Sequence, residues 1–185
     1  MNKMFRKELR RKFLIETLPE PLTRASHHLQ IFDNYIAGTR IRIRSVRDPQ
    51  SKQWSWILQQ RIPLEIGGLL QLKISEMHLD EAEHLVFSIF EGNELRKNRY
   101  FHEYDGRSFL IDMYLGELWG LNIASVEFDD EVSFADHQPP PFAVFDITND
   151  PFFLGDELVT KKFEDVRNEV AAVADRSLGS IEPAE

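Results

Sequence analysis

Thr39-Arg40-Ile41-Arg42-Ile43-Arg44 alternates strictly between charged and β-branched residues after its first position. Successive side chains of an extended chain leave opposite faces, so this stretch has an arginine face and an isoleucine face. A period of two reads as a strand, and a helix would scatter both sets around its axis. The same division recurs elsewhere. Glu8, Arg10 and Lys12 share one face, as do Lys97 and Arg99, then Leu110, Asp112 and Tyr114, then Ser125 and Glu127.

Turn residues separate these runs. Leu9 to Ile15 ends in Leu18-Pro19-Glu20-Pro21, and residues 22 to 32 read as loop or short helix. Asp48-Pro49-Gln50 makes 39–60 a hairpin, with Trp54 to Gln60 as its return arm. Leu69 to Ser75 alternates again. Asp80-Glu81 opens a helix with Leu79, Ala82, Leu85, Val86 and Ile89 at helical spacing, stopped by Gly92-Asn93. Asp105-Gly106 between Leu95–Tyr104 and Arg107–Tyr114 is a strong short-range hairpin signal. Leu121 to Phe128 is a further strand, followed by the stiff Gln138-Pro139-Pro140-Pro141. From Gly155 to Arg176, Leu158, Phe163, Val166, Val170 and Val173 form an amphipathic helix. Seven or eight mostly antiparallel strands with a middle and a terminal helix make an α+β domain, or a barrel flanked by helices. The expected division is one domain over 1–176 and a disordered tail over 177–185.

Composition narrows the function. The 185 residues include no cysteine, which excludes a disulfide scaffold, a zinc ribbon, an iron–sulfur site and a thiol nucleophile. No apolar run approaches the ~20 residues that span a bilayer. The expected protein is soluble and cytoplasmic, with no membrane partner. Lys and Arg total 22 against 31 Asp and Glu, a net charge of -9, which argues against nucleic acid as a partner. Basic clusters at residues 1–12 and 40–47 suggest a small anionic ligand instead. No Gly-rich phosphate loop is present, the six histidines fall in no metal-ligand spacing, and Trp54, Trp56 and Trp119 read as packing residues.

Two arrangements satisfy these faces. A half-solvated sheet turns its charges to water. A closed barrel turns them into a lumen, where arginine forks match phosphate oxygens and neighbouring carboxylates can hold a divalent metal. The residues alone do not choose.

Six motifs in order add a family resemblance. Glu8-Leu9-Arg10-Arg11-Lys12-Phe13-Leu14 resembles the Glu-x-Glu-x-Lys, Phe-Leu opening of the CYTH superfamily, the triphosphate tunnel metalloenzymes. Tyr35 with Arg40 to Arg44 resembles its Tyr and Arg-x-Arg strand, and Lys97-Asn98-Arg99-Tyr100 its Lys-x-Arg-Tyr strand. Leu110 to Tyr114 with Gly116 and Gly120-Leu121 resembles its Asp strand, Ala124 to Phe128 its Ala-Glu-Val-Glu strand, and Asp146-Ile147-Thr148 its closing Glu-Val-Thr.

The resemblance implies an eight-stranded antiparallel β-barrel forming a tunnel, with flanking helices. It implies a triphosphate or polyphosphate ligand and Mg²⁺ or Mn²⁺. It assigns phosphate contacts to Lys12, Arg42, Arg44, Lys97 and Arg99. Glu8, Glu127 and Asp112 are the metal candidates, and no residue stands out as a general base. The departures are Arg10 and Ser125 where the family has Glu, Gln60 for a tunnel Lys, Gln71, Lys73 and Ser75 for alternating Glu, and Asp146 for the closing Glu. The expected function is triphosphate binding with metal-dependent hydrolysis of inorganic or organic triphosphate. The alternative is a barrel that has lost catalysis and serves as a phosphate-binding or structural module.

Overall fold

The computed structural model describes residues 5–90 and 92–179. Its strands are β1 (Arg6–Leu14), β2 (Leu29–Ile36), β3 (Ile41–Arg47), β4 (Trp54–Ile66), β5 (Leu69–Leu79), β6 (Gly92–Tyr104), β7 (Arg107–Tyr114), β8 (Asn122–Phe128) and the two-residue β9 (Phe145–Asp146). The order is β5-β4-β3-β2-β6-β7-β8-β1-β9, and β1 also pairs with β5. Eight antiparallel strands therefore close into a barrel. β5 takes one edge of β1 at Arg6–Glu8, and β9 takes the same edge at Phe13–Leu14.

Turn chemistry sets the register. Asp105 and Gly106 both have positive φ, the geometry of a tight two-residue hairpin, so Tyr104 faces Arg107 and Arg99 faces Asp112. Gly67-Gly68 does the same between β4 and β5, setting Gln59 opposite Glu76. Between β3 and β4 the Asp48 N–H donates to the Gln53 carbonyl, and Arg42 faces Gln59.

The apolar faces turn outward. Phe13, Phe109, Ile111, Ala124, Val126 and Phe128 are buried under Phe134 of the short helix α2 (Glu131–Asp136). A second cluster lies on the inward parity at one end of the barrel, joining Leu14, Tyr114 and Ile123 to Phe153, Leu158, Val166 and Val173 of the C-terminal segment, with Tyr114, Ile123 and Phe153 lining the barrel interior. Burying these side chains contributes roughly 1.5–3 kcal/mol each, which offsets the unfavourable charges on the inner face.

Five expectations change. The stretch 22–32, expected as loop or short helix, holds the start of β2, whose Phe32, Asp33 and Asn34 mask its alternation. The helix expected over 155–176 is two, α3 (Gly155–Leu158) and α4 (Phe163–Gly179), parted by a non-helical turn at 159–162. Because α4 runs to Gly179, residues 177–179 are helical rather than tail; 180–185 lie outside the described residues. The helix at Asp80, here α1 (Glu81–Phe87), forms with a full capping box, yet none of its residues is buried. Trp54 and Trp119, expected to pack, are exposed. Among the described residues no helix is long and apolar enough to cross a membrane.

Candidate functional site

Closing the barrel turns alternate residues of all eight strands inward. They line a cavity of about 230 Å³. Eight cationic side chains reach it, Arg6, Arg10, Lys12, Arg42, Arg44, Arg61, Lys97 and Arg99, against the lining carboxylates Glu8, Glu76 and Asp112. Asp33 lies behind the arginines, and Glu127 stands at the mouth beside Arg6. A protein of net charge -9 thus concentrates positive charge inside its barrel.

Two buried aspartates organise one half of the lumen. Asp33 accepts from Arg44 Nε at 2.6 Å and NH2 at 2.7 Å, and from Arg42 NH1 at 3.2 Å. Asp112 accepts from Arg99 Nε and NH2, both at 2.7 Å, and from Lys97 Nζ at 2.7 Å. Burial alone would raise both carboxyls. The adjacent cations, Arg42 and Arg44 for Asp33 and Arg99 and Lys97 for Asp112, win and hold them far below the usual carboxylate range. Arg42 also bonds Gln59 and the Tyr35 hydroxyl, so all three of its nitrogens are engaged. Arg44 and Arg99 each keep NH1 without a protein partner among the described residues.

The other half differs. Among the described residues Lys12 Nζ meets only the Phe153 carbonyl, at 3.4 Å. Burial and the nearby Arg61 and Arg10 push its amine down to about 8. Neither Lys12 nor Arg61 has a carboxylate within ion-pair distance among the described residues. Burial would raise Glu8, but Arg10, Arg61 and Arg6 bring it down to about 2. Phe153 and Gly155 line the cavity where it meets Tyr35 and Lys12. A Cβ on Gly155 would lie 1.9 Å from the Tyr35 hydroxyl, so only glycine lets this segment approach so closely.

The structure brings Lys12, Arg42, Arg44, Lys97, Arg99, Glu8 and Asp112 to one lumen, with Glu127 at its rim. Asp112 is committed to Arg99 and Lys97. The expected departures shift by one residue. Gln59, not Gln60, faces inward and bonds Glu76 at 2.8 Å. On β5 the inward residues are Ile74 and Glu76, while Gln71, Lys73 and Ser75 belong to the opposite face. A β5 carboxylate is therefore present, and Arg61 supplies a β4 cation. Asp146 lies away from the lumen, paired with Arg11 and accepting from the Thr148 N–H.

Sequence reasoning missed Arg6, Asp33, Gln59, Arg61 and Glu76. The Gly67-Gly68 turn was the available signal, because a two-residue turn dictates which residues of β4 and β5 face each other.

The divalent ion implied by the resemblance finds no ready site. Each of Glu8 and Glu127 is bonded by both Arg6 and Arg10. Among the described residues no three His, Asp or Glu side chains converge as a metal would require. As the carboxylates stand, the donor set does not fit the ion.

No family model matches the chain. It is similar to an inorganic triphosphatase of Nitrosomonas europaea, 26% identical over 145 residues, 77% of this chain and 90% of that protein. An inorganic triphosphatase of Acetivibrio thermocellus is 29% identical over 92 residues, 50% of this chain and 58% of the relative, less than two thirds of that protein's length. A solved inorganic triphosphatase shares the fold with a TM-score of 0.56 at 23% identity, over 83% of this chain and 95% of that one.

Proposed function

We propose that this chain, a CYTH-superfamily barrel, binds inorganic triphosphate in its lumen and hydrolyses the terminal phosphoanhydride. The observation that carries the reading is a pair of cations with no carboxylate partner among the described residues, Lys12 and Arg61, facing a cavity that already holds six more. Unpaired cations facing a partly desolvated cavity are costly, and a polyanion relieves that cost. The relatives named inorganic triphosphatase support the same ligand.

The roles follow from which donors are free. Lys12, Arg61, and the NH1 groups of Arg44 and Arg99 contact non-bridging oxygens. Arg42 acts through the shape it gives the wall, while Lys97, which spends one of its three ammonium protons on Asp112, keeps others for the ligand. In hydrolysis water attacks the terminal phosphorus, the bridging P–O bond breaks, and orthophosphate and pyrophosphate leave. Fixed cations around the transferring phosphoryl group stabilise its spread negative charge without reorganising.

Size favours an inorganic chain over a nucleotide. The cavity lies below the roughly 300–1,000 Å³ of drug-sized pockets. Its Tyr35 and Tyr114 rings already stack with Arg42 and Lys97 rather than standing free for a base.

The test is phosphate release from tripolyphosphate, ATP and thiamine triphosphate, each with Mg²⁺, with Mn²⁺ and with chelator. A Lys12→Met/Arg61→Gln variant is the control. Release from tripolyphosphate that disappears in the variant is the expected result. Binding without release would leave a phosphate-binding module, and no rise in melting temperature with tripolyphosphate would sink the reading altogether.

A further inference from the structure

The mouth of the lumen is built from opposed charges in an unusual order. Arg6 and Arg10 project from β1 on either side of Glu8, and Arg10 stands directly opposite Glu127 in the β1–β8 register. Glu8 accepts from Arg6 at 3.2 Å and from Arg10 at 3.1 Å. Glu127 accepts from Arg10 at 3.0 Å and also from Arg6. Each guanidinium thus bridges both carboxylates.

A divalent ion would need those oxygens at roughly 2.0–2.6 Å, with lone pairs directed at it. Here the lone pairs are directed at guanidinium protons. An ion drawn to them would sit beside two fixed positive charges. Glu76, the third carboxylate near this end, accepts from Gln59. The Arg10 Nε is buried and has no acceptor among the described residues, so this mouth has a donor to spare.

We propose that Arg6 and Arg10 together take the place of a divalent cation, so that this chain binds polyphosphate without a metal ion. Two guanidiniums carry the same charge as one divalent ion. Glu8 and Glu127 anchor them as they would anchor the ion. The guanidinium donors not spent on Glu8 and Glu127 then meet the phosphate oxygens directly. The proposal rests on reading the lumen as a triphosphate site.

Calorimetric titration of the full chain with tripolyphosphate, in EDTA and in excess Mg²⁺, tests it without any variant. Binding in EDTA at least as tight as in Mg²⁺ is expected. Titration with Mn²⁺ alone should give no stoichiometric site. Arg10→Gln should weaken tripolyphosphate binding about tenfold or more, with no recovery in Mg²⁺. Arg10→Glu should weaken it likewise in EDTA, recover with Mg²⁺ or Mn²⁺, and gain a site for Mn²⁺ alone. Binding by the unaltered chain only when metal is present, or a stoichiometric Mn²⁺ site in it, would overturn this proposal and leave the lumen reading standing. No binding in either condition would overturn both.

Discussion

The two halves of the lumen handle charge differently. Along β3-β2-β6-β7, Asp33 holds Arg42 and Arg44, and Asp112 holds Lys97 and Arg99, with four oxygens and six nitrogens in hydrogen bonds of 2.6–3.2 Å. Along β8-β1-β5-β4, Arg6 and Arg10 share Glu8 and Glu127, while Lys12 and Arg61 face the cavity with no ion-pair partner among the described residues. The first half is a finished wall that holds its shape. The second is the half left with charge for a guest. Abundance of arginine therefore does not identify a phosphate contact, and pairing decides which cations remain available.

The largest expected break in this contrast is on the finished wall. Asp33→Asn or Asp112→Asn strips two buried cations of their common partner. Each should destabilise the fold by about 3–5 kcal/mol in denaturant unfolding. A change below about 1 kcal/mol would mean that the wall does not depend on those carboxylates.

Lys12→Met, on the open half, should act in the opposite sense. Affinity for tripolyphosphate falls by about 10- to 100-fold, the worth of a charged hydrogen bond. Thermal stability of the free protein stays the same or rises, because a desolvated, unpaired cation is gone. A loss of stability with affinity intact would assign Lys12 to structure.

A pH series sharpens the same point. Lys12 is held down to about 8 from its ordinary 10.5. Between those values the unfolded chain binds the proton that the folded chain has released. This residue's contribution to stability therefore grows as pH rises through that window. Affinity for the polyanion should fall over the same range as the charge is lost. Both trends should be missing in Lys12→Met, with melting and titration as the readouts. The smallest effect belongs outside the lumen: Arg96→Ala removes an exposed pair with Glu94 and should change stability by no more than about 0.5 kcal/mol.

Much of this architecture is legible in the sequence. Alternation at 40–44, the Asp105-Gly106 hairpin and the order of the six motifs lead to an antiparallel barrel with charged inner faces. Lys12, Arg42, Arg44, Lys97, Arg99, Glu8 and Asp112 fall on the lumen as their parity requires. Parity failed on β4 and β5, where Gln60 and the 71, 73, 75 set were read as inward. A slip of one residue exchanges both faces of a strand, and only the neighbouring strand fixes which face is which. Arg61 and Glu76 were hidden by that slip. Asp33 was hidden because β2 lacks a clean alternation.

What the sequence determines by itself is local: where strands alternate, where the Gly-Gly and Asp-Gly turns fall, and which residue types share a face. Those follow from backbone sterics and the two-residue pleat. Which face closes inward, which carboxylate meets which cation, and that Lys12 and Arg61 meet none among the described residues were decided only by the closed barrel. Ion pairing joins residues as far apart in sequence as Arg10 and Glu127, which only the pairing of β1 with β8 brings opposite each other.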